Sequence, residues 1–459
     1  MQQPLADRMA EWAGGLRYQD LPAPVVHEVK RRVLDSLGCA YGAFEAEPSV
    51  VARKVAGRLT AHPGSTLLGS DHRAPPDWAA FANGCMVRYL DYNDTYLSKE
   101  PAHPSDNIPA ALAVADAQHS SGQDFILAIV MAYEVQCRLC DAACIRARGW
   151  DHVTYGAFST ALAAAKLMKL PTQKMRHALG IAGVASANLR QSRVGELSHW
   201  KGCAFANAAR HGVYSAMLAA DGMTGPAPIF EGANGFEKLI SGPLELQGPF
   251  GSNPKTWAGD FMILKTSIKY WPAEYHSQSA IEAALELRKQ LGSIDEIESI
   301  SIESHDAAVD IIGSSPEQWQ PTSRETADHS LPYITAVALA DGELTAKQFD
   351  PRRFTDPKML KLVSRVKVSR HAELSRKYPV EVGNIVTIKT IAGKTHTRRV
   401  DVPTGNALKP LTDTQVQAKF HSLADERLGH DRAKALADWV WRLDQQPKAG
   451  QLFSLAALP

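Results

Sequence analysis

The chain has 459 residues, 45% of them hydrophobic and 22% charged, with 50 Lys plus Arg against 49 Asp plus Glu for a formal net charge of +1. At about 150 residues per domain this suggests two or three domains with enough apolar mass for a large core, and it excludes a mini-protein held by staples. The near-zero balance argues against a surface built to attract nucleic acid or an anionic membrane, since both need an accumulated positive field.

The N-terminal residues, Met1 to Trp12, carry acids early and no apolar run of a targeting signal, so neither a secretory nor a mitochondrial signal is expected. From Leu5 to about Phe261 the apolar period is helical almost throughout. Val25 to Leu37 repeats apolar side chains at three and four, and Gly38 closes the strongest part of that pattern. Further helices are predicted over Asp77–Leu90, Ile108–His119, Asp124–Arg146, Ala157–Lys169, Gln173–Ala187 and Cys203–Asp221. Several are rich in Ala and Gly, which lets helix backbones approach closely. The longest apolar run, Phe125 to Tyr133, is about half a membrane span, so a soluble, cytoplasmic protein is expected.

After about Leu264 short alternating segments mix with helices. Ile297–Glu303, Arg365–Ser369, Ile385–Ile391 and Thr395–Val400 read as strands, the last two as a hairpin across Ala392-Gly393-Lys394. Helices are predicted over Ser277–Leu291 and Ser330–Leu339, and Thr414–Arg427 and Ala433–Leu443 return to a helical period. The fold class is therefore mainly α with an α+β insertion. A large all-helical domain occupies residues 1–264 and returns over 405–459, and a smaller α+β lid domain occupies 265–404.

Six cysteines, Cys39, Cys85, Cys137, Cys140, Cys144 and Cys203, are too sparse for a disulfide framework. Cys137, Cys140 and Cys144 are spaced to share one side of a helix, which reads as core packing in preference to metal ligation.

The densest polar constellation runs from Leu90 through Asp91, Thr95 and Tyr96 to His103 and Pro109. It joins two apolar helices, where a loop anchored at both ends can hold reactive groups. Ser105, Asp106 or Asn107 is expected to cap the helix beginning near Ile108, which leaves Asp91, Thr95 and His103 unexplained by capping. His152 lies ahead of an Ala-rich helix, and Lys201 lies between Trp200 and a small-residue helix where its stem could snorkel along an apolar surface. At the domain junction Lys269 and His276 offer a cation and a titratable group near a cleft. Ahead of Tyr333, Ser330 is a candidate cap for the next helix.

These segments, together with Trp200 to Arg210, Gly222 to Phe236, Lys269 to Gln278 and Asp328 to Tyr333, resemble the MmgE/PrpD family of 2-methylcitrate dehydratases, cis-aconitate decarboxylase and an iminodisuccinate epimerase. The resemblance implies a helical domain with an α+β lid, a homodimer, and a pocket lined by Asp91, Thr95, His103, His152, Lys201, Lys269 and Tyr333. It implies a hydro-lyase that dehydrates 2-methylcitrate or a similar small tricarboxylate, and because the sequence shows no convincing cluster ligands, activity without metal or cofactor is expected. A decarboxylase, or an epimerase acting beside a carboxylate, is the alternative. His103, His152, Asp91 and Tyr333 would act in catalysis, and Thr95, Lys201, Lys269 and His276 in substrate binding.

Abstracting a proton beside a carboxylate builds charge on a group already anionic. Acid–base catalysis contributes ~10²–10⁴-fold against roughly a million-fold or more needed, so electrostatic stabilisation must supply the rest.

Overall fold

A computed structural model describes residues 3–251 and 257–458; positions 1, 2, 252–256 and 459, all assigned above to the helical domain, lie outside the described residues. Among the described residues nine α-helices come first: α1 (Leu5–Gly15), α2 (Ala23–Gly42), α3 (Glu47–Ala56), α4 (Pro76–Tyr89), α5 (Ile108–Ala117), α6 (Gly122–Ala142), α7 (Val153–Leu167), α8 (Thr172–Ala185) and α9 (Trp200–Ala220). Between α3 and α4 lies a two-stranded ribbon of β1 (Ser65–Thr66) and β2 (Arg73–Ala74), too short to show as alternation.

The close helix approach expected from the Ala and Gly content occurs where α9 crosses α7 and α4. A Cβ on Gly212 would lie 2.0 Å from Thr160 Oγ1, and one on Gly84 would lie 2.9 Å from Ala206 Cβ. Gly38 does not close its helix: α2 continues to Gly42, because a Cβ at Gly38 would fall 3.1 Å from Phe420 Cα and the position is kept small for packing. A Ser121–Asp124 capping box starts α6, which ends at Ala142, short of the expected Arg146. Glu100 causes this, because its N–H binds the Cys140 carbonyl at 3.1 Å and its carboxylate takes the Arg146 N–H at 2.8 Å, drawing the chain out of the helix. Cys137 and Cys140 are accordingly buried in α6, whereas Cys144 is half-buried beyond its end.

The second part holds α10 (Gln278–Arg288), β3 (Ile297–Ser304), α11 (Asp306–Ile312), α12 (Arg324–Ala327), α13 (Leu331–Asp341), α14 (Pro351–Phe354), α15 (Pro357–Val363), β4 (Val366–Arg370), α16 (Ala372–Lys377), β5 (Asn384–Thr390) and β6 (Thr395–Val400). The sheet order is β4-β3-β5-β6, with β3 parallel to β4 and antiparallel to β5, and β5 antiparallel to β6. Registers Ile300↔Ile388 and Ile302↔Val386 put alternate apolar residues on one face, against which α10 packs. Gly393, at φ 80°, turns the expected hairpin.

Helices α17 (Asp413–Leu428), α18 (His430–Trp441) and α19 (Leu452–Ala456) complete the chain, and α17 packs on α2. Buried apolar side chains form two clusters, one drawn from Leu5 to Ile268 and again from Leu411 to Ala456, the other from Trp271 to Val400. No helix among the described residues is long and apolar enough to cross a membrane.

Candidate active site

A cavity of about 250 Å³ is lined from both clusters' segments: the end of α4 and the loop after it, the turns before α7 and α9, the connection from Lys269 to His276, and the approach to α13. Its floor is an ion cluster around Asp91. This residue follows the end of α4 with φ 51°, a left-handed conformation that Asp tolerates better than most. Its carboxylate turns back onto Arg88 of the last helical turn. Lys269 Nζ donates to the Asp91 carbonyl at 2.8 Å and lies 3.2 Å from Oδ1, while Lys201 Nζ stands 3.9 Å from Oδ2. Burial opposes ionisation of Asp91, but Arg88, Lys201 and Lys269 outweigh it and hold the carboxyl well below its ordinary range. The same burial pulls both lysines down from their ordinary range. Lys201 is buried, not snorkelling, and donates to Asp328 Oδ1 at 3.1 Å.

The loop from Asp91 is fixed by Asp94, whose carboxylate accepts from the Tyr133 hydroxyl at 2.7 Å and the Ser105 N–H at 2.8 Å. Its carbonyl lies 2.8 Å from His103 Nδ1. A carbonyl only accepts, so that nitrogen carries the proton and Nε2 is left bare. Burial, with Arg88 and Lys269 nearby, pushes the His103 imidazolium well down, so the ring is neutral. Thr95 ties the loop to the lysine segment by paired 2.8 Å bonds with Ser267.

Ser105, Asp106 and Asn107 do not cap α5. Asn93 Nδ2 donates to Ser105 Oγ and Asp106 Oδ1 at 2.8 and 2.7 Å, and Asn107 donates to the Gln136 side chain at 2.6 Å, so tertiary partners claim these groups. Ser330 does cap α13, accepting from the Tyr333 N–H.

His152 lies 5.9 Å from His103, ring to ring. Its Nδ1 sits 2.9 Å from Asp151 Oδ1, and Asp151 is held in turn by Ser192 and Arg193 at 2.6 and 2.9 Å. Among the described residues, His152 Nε2 is buried with no partner. Burial lowers this histidine from 6.5 to about 4. Between those values the unfolded chain takes up a proton that the folded chain refuses, so stability falls as pH falls through the window, by about 3 kcal/mol in all. Denaturant titrations from pH 7 to 4 should therefore show a shallower loss for His152→Gln than for the wild type; equal slopes would contradict it.

His276 pairs through Nδ1 with Glu274 at 2.6 Å and lines the cavity. Tyr333 does not. Its hydroxyl donates to the Gln348 carbonyl, and its ring packs near Phe349 and Phe354 in the second cluster. The neighbouring motif residue His329 takes its place in the lining, with Nδ1 2.6 Å from Asp328 Oδ1. The sequence signal for it is the Asp-His pair just before a helix, present at both 151–152 and 328–329. Donor atoms of Asp91, Asp328 and His329 lie within 4.8 Å of one another, and the Lys201 ammonium stands at 3.1 and 3.9 Å from the two carboxylates. The positive charge at this point is thus a lysine's.

Residues 7–248 match the MmgE/PrpD N-terminal domain and residues 271–445 the MmgE/PrpD C-terminal domain. The chain belongs to the MmgE/PrpD family. It is 29% identical over 385 residues to the 2-methylcitrate dehydratase of Cupriavidus necator, covering 79% of this chain and 77% of that protein. The 2-methylcitrate dehydratase of Escherichia coli K12 is 30% identical over 341 residues, 69% of this chain and 68% of that one. The human cis-aconitate decarboxylase is 28% identical over 462 residues, 97% of this chain and 93% of that one. The cavity of this MmgE/PrpD chain draws on segments from both matched domains.

Proposed function

We propose that this chain is a carbon–oxygen lyase that dehydrates 2-methylcitrate, or a similar small tricarboxylate such as citrate, to the cis-aconitate-type alkene. The observation that carries the reading is a neutral imidazole with a bare nitrogen, His103 Nε2, in one cavity with the buried Lys201 and Lys269. His103 takes the proton from the carbon beside a carboxylate. The C–H pair moves through the developing dianion, which the lysines neutralise, to form the C=C bond. The C–O bond breaks with its electrons on oxygen, and a second acid, His329 or a His152 that has first taken up a proton at Nε2 as substrate binds, gives that proton to the leaving hydroxide to form water. Thr95 and His276 contact the substrate. The segment 265–404 closes over it as a lid, excluding water and strengthening each charge interaction.

Lysines in the electrophilic role make the reaction independent of metal, and activity should survive an iron chelator. Decarboxylation is the second reading, supported by the human relative's coverage of 97% of this chain. The two bare imidazole nitrogens also fit an epimerase that trades a proton between two bases. Offering 2-methylcitrate, citrate and cis-aconitate separately and weighing the products decides among them. Loss of water supports the dehydratase, loss of carbon dioxide the decarboxylase, and no consumption of any of the three overturns the tricarboxylate reading.

A further inference from the structure

Six cationic side chains line the cavity, and four of them are paired with a carboxylate of the protein. Arg88 pairs with Asp91, Arg193 with Asp151 at 2.9 Å, Lys201 with Asp328 at 3.1 Å and Lys269 with Asp91 at 3.2 Å. Arg146 and Arg190 have no such partner: among the described residues, neither guanidinium lies within 4.0 Å of a carboxylate. Glu100, also in the lining, has its carboxylate engaged by the Arg146 backbone N–H at 2.8 Å, and its charge acts on both arginines without pairing with either guanidinium. Among the described residues, Arg146 Nη1 is buried with no acceptor.

A guanidinium nitrogen shielded from water without an acceptor is a costly state even on a half-buried side chain, and proteins rarely keep one unless something else completes it. Here the fold goes to some length to build it. Arg146 opens the turn after α6, and Arg190 opens the turn after α8. The two turns are laced together by the Trp150↔Leu189 bridge, the Arg190 N–H to the Gly149 carbonyl at 2.9 Å and the Asp151 N–H to the Asn188 carbonyl at 2.8 Å. Both arginines are thereby placed on the strip that carries His152, apart from the lysine cluster gathered on Asp91.

We propose that Arg146 and Arg190 form a second carboxylate-binding subsite on the His152 wall of the cavity, which holds the substrate carboxylate not engaged by Lys201 and Lys269 and selects tricarboxylates over dicarboxylates. The planar fork of a guanidinium matches a carboxylate in two parallel hydrogen bonds, which suits a group that must be oriented as well as neutralised. The lysines serve as point charges where negative charge develops, and the arginines fix the far end of the molecule. The proposal rests on the tricarboxylate reading above, but binding and turnover separate the two.

Calorimetry with the unreactive propane-1,2,3-tricarboxylate and with succinate, on the wild type, Arg146→Gln, Arg190→Gln and the double variant, tests it. Each single variant should bind the tricarboxylate roughly 10- to 100-fold more weakly while succinate affinity shifts less than about threefold. Arg→Lys at either position, which keeps the charge and loses the fork, should fall between and serves if a Gln variant folds poorly. Thermal melting should show the Gln variants about as stable as the wild type, because neither half-buried guanidinium has a paired carboxylate to lose. Wild-type binding of the tricarboxylate with unchanged affinity in the variants, or an equal loss for both anions, overturns the subsite alone. A wild type that binds neither anion overturns the subsite together with the tricarboxylate reading, and the product analysis scores the reaction independently.

Discussion

His103→Asn should abolish turnover, lowering kcat by ~10²–10⁴-fold or more, while the protein folds and melts as the wild type does. The asparagine amide can still donate to the Asp94 carbonyl that His103 Nδ1 now engages at 2.8 Å, so the loop keeps its anchor. What disappears is Nε2, the basic atom that the Nδ1 hydrogen bond leaves bare. The loss should fall on kcat, with KM little changed, since His103 is neutral and contributes no charge to holding an anion. Steady-state kinetics and a melting curve on the same preparation are sufficient. A variant with near-normal kcat would remove His103 from the proton-transfer role, whereas a variant that fails to melt cooperatively would make its role structural.

The route from sequence to site was uneven for physical reasons. The stretch from Leu90 to Pro109 stood out because polar residues without a helical period separate two apolar helices, and a loop so placed has few reasons to hold both Asp91 and His103 unless they meet a ligand. Arg88 carried no such signal, since a basic residue in the last turn of a helix is what the helix dipole favours anyway. His329 was hidden just ahead of a capping Ser330 and a Tyr333 whose hydroxyl suggested chemistry, and only the burial of that ring among Phe349 and Phe354 shows which of them faces the cavity. Lys419 lay further from reach. In sequence it is one lysine of an amphipathic helix. In the fold it is buried, pairs with Asp35 at 2.6 Å, and donates to the carbonyls of Tyr92 and Lys269 at 2.7 and 2.9 Å. It thus ties together the two segments that carry Asp91 and Lys269, and no local pattern records a contact made across that much chain. The strands, by contrast, were legible because alternation and the Gly393 turn are local properties.

The ion cluster makes the second large effect. Asp91→Asn removes the one carboxylate shared by Arg88, Lys201 and Lys269, all of them buried, and leaves their charges to Asp106 and Asp328 alone. Breaking a buried pair in this way typically costs about 3–5 kcal/mol, because the partner charge remains without water or counter-ion. The variant should therefore lose that much in denaturant unfolding at neutral pH as well as its activity. The folded Asp91 carboxyl is held below its ordinary 3.8, so its contribution is fully present above that value and fades only as pH falls below it; the gap between variant and wild type should stay constant from pH 7 to 5. Lys269→Met in the Asp91→Asn background should then restore part of the stability, since one uncompensated charge goes with it, while activity stays absent. A double variant less stable than the sum of the two singles predicts, or an Asp91→Asn protein within about 1 kcal/mol of the wild type, would mean that the cations are solvated or paired elsewhere. That outcome would also undercut Lys201 and Lys269 as the charges that meet the dianion, because lysines already relieved by water would have little left to gain from neutralising one.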